Sequence, residues 1–228
     1  ACTMVAGLAA VGGSYGVHVE EGTVIGCGVV SGRLEPYFSN NVDIERPTEH
    51  CQSAADQAEA SAAGHGKPDI VLWGSQAERA SILVNTPSGS EVLANTTPQW
   101  KAVMLRRINT RVKAFIADGA KVIFLLQPPF VDSRNPTRPT QSDMEFERMN
   151  GLLRQVAARH PGHVGLIDLS LRVCPSGPPC PYIVDGVGAG QYATFAVRPD
   201  GAHYGIVGSL WVSEWLVPRI VATTNRLS

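Results

Sequence analysis

The run Lys121–Leu126, KVIFLL, constrains this chain more than any other stretch. A strand with one wet face alternates apolar and polar side chains, whereas a short unbroken apolar run needs cover on both faces. Just upstream, residues 98–118 place Val103, Met104, Ile108, Val112, Phe115 and Ile116 at helical spacing, and Gly119 ends the periodicity. An amphipathic helix feeding a doubly covered strand is the repeating unit of a parallel α/β sheet.

The same alternation recurs along the chain. Residues 2–11 and the alanine-rich 52–63 read as helices, and so do 142–159, with Ser142 as N-cap. GVHVEEGTV followed by Ile25 (16–25), IVLW (70–73) and HVGLIDL (163–169) read as strands. A last helix is expected from near Gly205 to about Ala222, kinked or frayed by Pro218. The segments 28–50, 80–97 and 170–199 are expected to be long irregular loops facing substrate. The prediction is one domain over 1–228, a three-layer α/β sandwich around a parallel sheet. In such sheets reactive groups sit at the carboxyl ends of the strands. That puts Gly26-Cys27-Gly28, Gly74-Ser75-Gln76, Gln127-Pro128-Pro129 and Asp168-Leu169 on one rim. The chain opens with a helix where a doubly wound fold opens with a strand, so the first strand is expected to lie upstream of Ala1. The apolar start lacks the basic residues of a signal peptide and begins without Met, and it reads as a domain cut from a longer chain.

Composition narrows the function classes. The net charge is −1 over 228 residues, which withholds the basic surface that nucleic-acid binding draws on. No stretch has the roughly 18 apolar residues of a spanning helix. Five cysteines are present. Cys174 and Cys180 bracket the Pro/Gly-rich CPSGPPC loop, which a disulfide would staple, and Cys27 and Cys51 flank an irregular segment that a second bridge would close. The competing reading is five free thiols in a reducing compartment. With neither CxxC nor HExxH, zinc is not expected.

Asp200-Gly201-Ala202-His203 is the most informative stretch for chemistry. An Asp three residues before a His can fold back over a tight turn and accept from the imidazole Nδ1–H, which leaves Nε2 free as a base for a hydroxyl. Taken alone, D-x-x-H also describes a His capping the last helix. Gly12–Gly16 matches G-x-S-x-G, yet a nucleophile elbow needs a strand before it and a helix after. The order here is reversed, so this is read as a helix C-terminal turn. Ser75 and Cys2 are weaker nucleophile candidates, His18 and His160 read as structural or exposed, and Asp168 as a loop-capping carboxylate. Glu78-Arg79 is expected to form an ion pair.

RPDGAHYGIVGSLWVSEWLVPRI resembles the last block of SGNH (GDSL-type) hydrolases, VIGCGVV their second block, and PDIVLWGSQAER their third. Together with the CPSGPPC loop, the chain is similar to the SGNH domains fused behind acyltransferase-3 membrane modules in actinobacterial envelope proteins. The resemblance runs from Ala1 to about Val221. It implies an SGNH or flavodoxin-like fold and an esterase or acyltransferase acting on acylated envelope glycans or glycolipids. It also implies an O-acyl chemistry without metal or organic cofactor, and an extracytoplasmic location, membrane-tethered or secreted. His203 would be the base, Asp200 its orienting carboxylate, and the Gly26 N–H an oxyanion donor beside Gly74 and Gln76. The family's nucleophilic serine lies in Gly-Asp-Ser before the first helix, and is expected just upstream of Ala1. The family's Asn in the third block is replaced by Gln76, whose extra methylene displaces the donor by about 1 Å. The rival expectation is a non-catalytic domain that presents the acceptor to the membrane module.

Overall fold

The computed structural model describes residues 2–24, 28–30, 33–34, 51–63, 66–75, 77–86, 89–131, 142–187 and 192–227. The parallel sheet consists of β2 (Ile70–Trp73), β5 (Lys121–Leu126) and β6 (Val164–Asp168), in the order β2-β5-β6. Ile70 pairs with Lys121 and Val122 with Val164, so all three strands end at one rim.

Side-chain alternation along these strands builds two cores. Val71, Trp73, Val122, Phe124, Leu126 and Val164 face α3 (Pro98–Ala117) and α4 (Ser142–Ala157), meeting Met104, Ile108, Val112, Leu152 and Val156. Ile70, Leu72, Ile123, Leu125 and Ile167 face α1 (Val5–Gly12) and α6 (Ile206–Arg226), meeting Leu8, Trp211, Val212, Leu216 and Ile220. The chain is therefore α/β with helices on both sides of a parallel sheet. α3 is capped as its sequence suggests: the Thr97 hydroxyl accepts from Trp100 N, and Pro98 occupies the first turn, where no N–H is needed. α1 lies hard against α6. A Cβ on Gly7 would stand 2.4 Å from Ser209 Oγ and 2.5 Å from its carbonyl oxygen. In the close approach that glycine permits, Gly7 N donates to Ser209 Oγ at 3.1 Å.

Four expectations are corrected. Residues 17–24 form no strand. Val17 and Val19 do point into the α1/α6 core, which accounts for their period-two pattern, but among the described residues no neighbour pairs with them. The segment 80–97 holds a hairpin, β3 (Ile82–Thr86) and β4 (Gly89–Leu93), to which β1 (Arg33–Leu34) adds antiparallel. The segment 170–199 holds α5 (Ser170–Val173) and a second hairpin, β7 (Ile183–Val187) with β8 (Tyr192–Ala196). The last helix passes Ala222 and runs to Arg226, because Pro218 in its interior does not stop it. The G-x-S-x-G segment is a helix end. α1 tightens into a 3-10 turn over Gly13–Tyr15 and stops at Gly16, whose φ of +68° suits glycine. The capping role of Ser142 falls outside the described side chains.

Cys174 and Cys180 form a disulfide with Cα atoms 4.6 Å apart. It packs with Val131 and Tyr182 in a small third cluster. The proposed Cys27–Cys51 pair lies outside the described residues, as do the side chain of Cys2 and the loop over 35–50.

Candidate active site

The link from β8 to α6 builds the site. Val197 and Arg198 are buried, and the chain then turns outward over Arg198-Pro199-Asp200-Gly201. Gly201 N donates to Arg198 O at 2.8 Å, closing a β-turn with Pro at its second position and Gly at its fourth. Gly201 has φ +83°, which a side chain there would strain. Beyond the turn, Asp200 folds its own carboxylate over the backbone: Oδ1 accepts from Ala202 N at 2.9 Å and from His203 N at 2.7 Å. Oδ2 is left for the ring, 2.6 Å from His203 Nδ1.

This pair is exposed, with 69% of the His203 and 57% of the Asp200 side-chain surface open. Partial burial by itself would raise the Asp200 pKa. The hydrogen bonds from the His203 ring and from the His203 and Ala202 N–H groups outweigh it and pull the carboxyl down to about 2. Asp200 is thus a carboxylate at any ordinary pH, and it engages Nδ1, leaving Nε2 as the ring nitrogen it does not hold.

Neighbours from other parts of the chain fix the position of the turn. Val131 N donates to Gly201 O at 2.9 Å, Arg198 Nη1 to Pro129 O at 2.6 Å, and the Tyr182 hydroxyl to Pro199 O at 2.8 Å. Pro129 and Val131 follow β5 directly, so the Asp-His pair stands on the carboxyl rim. Asn150 from α4 pins the same loop, donating to Gln127 O at 2.9 Å and accepting from Gln127 N at 3.0 Å. On the other side, Tyr204 N donates to Thr3 Oγ1 at 3.2 Å. Thr3 lies in the 3-10 turn that opens α1, so the start of the first helix meets the D-x-x-H turn on this rim.

Of the residues expected at the site, His203 and Asp200 come together and Gly74 follows β2 on the same rim, buried. Gly26 and Gln76 lie outside the described residues. Glu78 and Arg79 do not form the expected ion pair. The buried Glu78 carboxylate turns to the backbone, accepting from Val29 N and, at 3.3 Å, from Val30 N. It occupies the space that a Cβ on Gly28 would need, 2.6 Å away, which explains the glycine two residues after Gly26. Arg79 pairs with Glu145 at 3.4 Å and lies over the rings of Phe130 and Phe146.

The remaining candidates are structural in geometry. His18 is exposed and meets Glu20 at 2.7 Å. His160 meets Asn109 at 2.7 Å, and burial, aided by Lys113, His163 and Arg159, lowers its pKa. Asp168 caps the start of α5, accepting from Ser170 N at 2.9 Å. Thr3, Arg198 and Glu78 were missed as contributors. Their neighbours come from distant parts of the chain, and no local pattern marks them.

A family model described as SGNH domain (fused to AT3 domains) matches residues 1–214. The chain belongs to this family. A comparison with curated proteins found no match. SGNH membership accounts for the two-sided α/β fold. The family description ties such domains to AT3 modules on the same polypeptide. Among the described residues no helix is long and apolar enough to cross a membrane.

Proposed function

We propose that this SGNH domain transfers or hydrolyses acyl esters of a cell-envelope glycan or glycolipid, on the outer side of the membrane that anchors its AT3 module. The observation that carries this reading is the Asp200 carboxylate. One of its oxygens is held by two backbone N–H groups and the other lies 2.6 Å from His203 Nδ1. An imidazole so oriented serves as general base to a hydroxyl and then as general acid to the leaving oxygen.

In this proposal the hydroxyl belongs to a serine of a Gly-Asp-Ser segment ahead of Thr3. Two observations support a strand there. The edge of β2 away from β5 carries no strand among the described residues. Val17 and Val19 share a core with Ile70 and Leu72, yet likewise have no ladder partner among them. A strand between them would deliver its carboxyl end to the opening of α1, where Thr3 already meets Tyr204. A serine there would also face a helix N-terminus, which favours the negative charge that develops on acyl attack. Gly26 N–H and the Gln76 amide are proposed as oxyanion donors, and a disulfide-stapled loop fits an oxidising, extracytoplasmic setting.

The test is ester turnover in the full-length polypeptide. His203→Ala is expected to lower kcat by at least about 10³-fold, because base and nucleophile act as a unit. Asp200→Asn should cost less, since it spoils tautomer and orientation while the base remains. Wild-type turnover in the His203→Ala protein would refute the acyl-transfer reading and favour an acceptor-presenting domain without turnover.

A further inference from the structure

We propose that Arg198 is a positioning residue for the Asp200–His203 pair, a role that rests on the acyl-transfer reading above. Its side chain lies beneath the turn, 2% exposed. Nη1 reaches Pro129 O at 2.6 Å, while Nη2 has no hydrogen-bond partner among the described residues. The hydroxyl of Tyr204, on the far side of the turn, is also buried and without one among them. Burial lowers the Arg198 pKa, and the nearby Tyr204 hydroxyl and Asp200 carboxylate favour its charged form. Burial in turn pushes the Tyr204 hydroxyl up to about 12, so it stays neutral.

Among the described residues the buried Arg198 guanidinium meets no carboxylate in an ion pair, and a guanidinium so placed costs more stability than a neutral side chain of similar volume. Stability therefore does not account for arginine at this position, and placement of the turn does. The fork ties the loop after β5 to the base of the turn. Two residues along that loop, Val131 N holds Gly201 O at 2.9 Å. Gly201 sits between Asp200 and the two N–H groups that its carboxylate caps, so a loop held at both points fixes the carboxylate toward Nδ1. Without the bond from Arg198 to Pro129 O, one backbone bond, Val131 N to Gly201 O, joins the loop to the turn among the described residues, and the exposed pair samples other geometries. Arg198 touches no reacting atom in this account. It acts through Pro129, Val131 and Gly201.

The test reads the imidazole directly and needs no turnover. Long-range 1H–15N spectra of the full-length protein labelled at histidine report which ring nitrogen of His203 carries the proton. The wild-type chain is expected to show the Nδ1-protonated tautomer. Arg198→Met is expected to show a mixture of both, and Arg198→Lys, which keeps the charge but loses the fork, an intermediate mixture. In the full-length protein, with p-nitrophenyl acetate as probe, Arg198→Met should lower kcat by about ten-fold or more with KM within about two-fold. Its Tm should stay within about 4 °C of wild type. A folded Arg198→Met chain with the wild-type His203 tautomer overturns the proposal, whatever its turnover. If that variant does not fold, a wild-type spectrum from Arg198→Lys overturns it equally. A tautomer shift without any wild-type ester turnover supports the positioning role and counts against the acyl-transfer reading alone.

Discussion

Replacing Gly7 with Ala tests how closely packing and site are joined. In isolation the change favours the helix, since alanine is better than glycine in a helix interior by about 1 kcal/mol. Here the new Cβ would stand 2.4 Å from Ser209 Oγ, 2.5 Å from Ser209 O and 2.6 Å from Ser209 C. The hydroxyl could rotate away but the α6 backbone cannot, so the helices must part. Overpacking of this kind costs roughly 1–3 kcal/mol, and a backbone clash belongs at the upper end. The bond from Gly7 N to Ser209 Oγ is lost as well, at about 1 kcal/mol. The net expectation is a loss of about 2–3 kcal/mol. At about 2.1 cal/mol/K per residue over 228 residues, that lowers Tm by about 4–6 °C. Two controls isolate the cause. Gly13→Ala, at φ −55° with nothing within 4 Å of its Cβ, should leave Tm unchanged or slightly raised. Ser209→Gly in the Gly7→Ala background should not restore Tm, because the backbone atoms remain. Calorimetry on the four chains decides the matter. An unchanged or raised Tm in Gly7→Ala refutes the close-approach argument. So does full rescue by Ser209→Gly.

Three further outcomes are expected. Cys174→Ser/Cys180→Ser opens a short loop and should cost about 2 kcal/mol by loop-closure entropy, read by urea unfolding; equal midpoints with and without the disulfide would show that the loop is held by other contacts. Glu78→Ala leaves the partly buried Val29 N–H and the buried Val30 N–H without their acceptor and should cost about 2–4 kcal/mol by the same assay, a loss under 1 kcal/mol excluding the role assigned to this carboxylate. Asp200 has a folded-state pKa pulled from 3.8 to about 2, so its contribution is fully present above about pH 4 and is lost as pH falls toward 2; Tm profiles of wild type and Asp200→Asn should converge over that window, and parallel profiles would contradict the hydrogen-bond geometry.

The layered core was legible because its strands are short and apolar and its helices periodic. Val122–Leu126 could be covered only from both sides, and α3 and α6 supply that cover. The D-x-x-H turn was legible because its logic is local: Pro199 and Gly201 shape the turn, and Asp200 reaches groups two and three residues on. What escaped depends on partners far along the chain. Gly89–Leu93 is polar and largely exposed, and becomes a strand only by pairing with Ile82–Thr86, which in turn pairs with Arg33–Leu34. Val17 and Val19 alternate like a strand because both point into a core, but inward alternation does not create a ladder. Glu78 and Arg79 stand together in sequence and of opposite charge, yet one is drawn to buried N–H groups and the other to Glu145 and two rings. Neighbouring charges predict a pair only where no buried group competes for them.

The exposure of the Asp-His pair bears on how the site is held. A contact between two largely solvated side chains contributes little to stability, of the order of 0–1 kcal/mol, so it cannot define its own geometry. The rigidity has to come from below. Val197, Arg198, Gly201 and Tyr204 are buried beneath the two exposed side chains. They are tied to three separate parts of the fold: the loop after β5 through Pro129 and Val131, the start of α1 through Thr3, and Tyr182 just beyond the disulfide. Under the acyl-transfer reading proposed above, a pair this exposed, with Nδ1 engaged by Asp200, would leave Nε2 open to a bulky acceptor. A buried pair would be stiffer by itself. An exposed pair on a buried, cross-tied turn gives up the stability of the contact and retains the geometry of the pair.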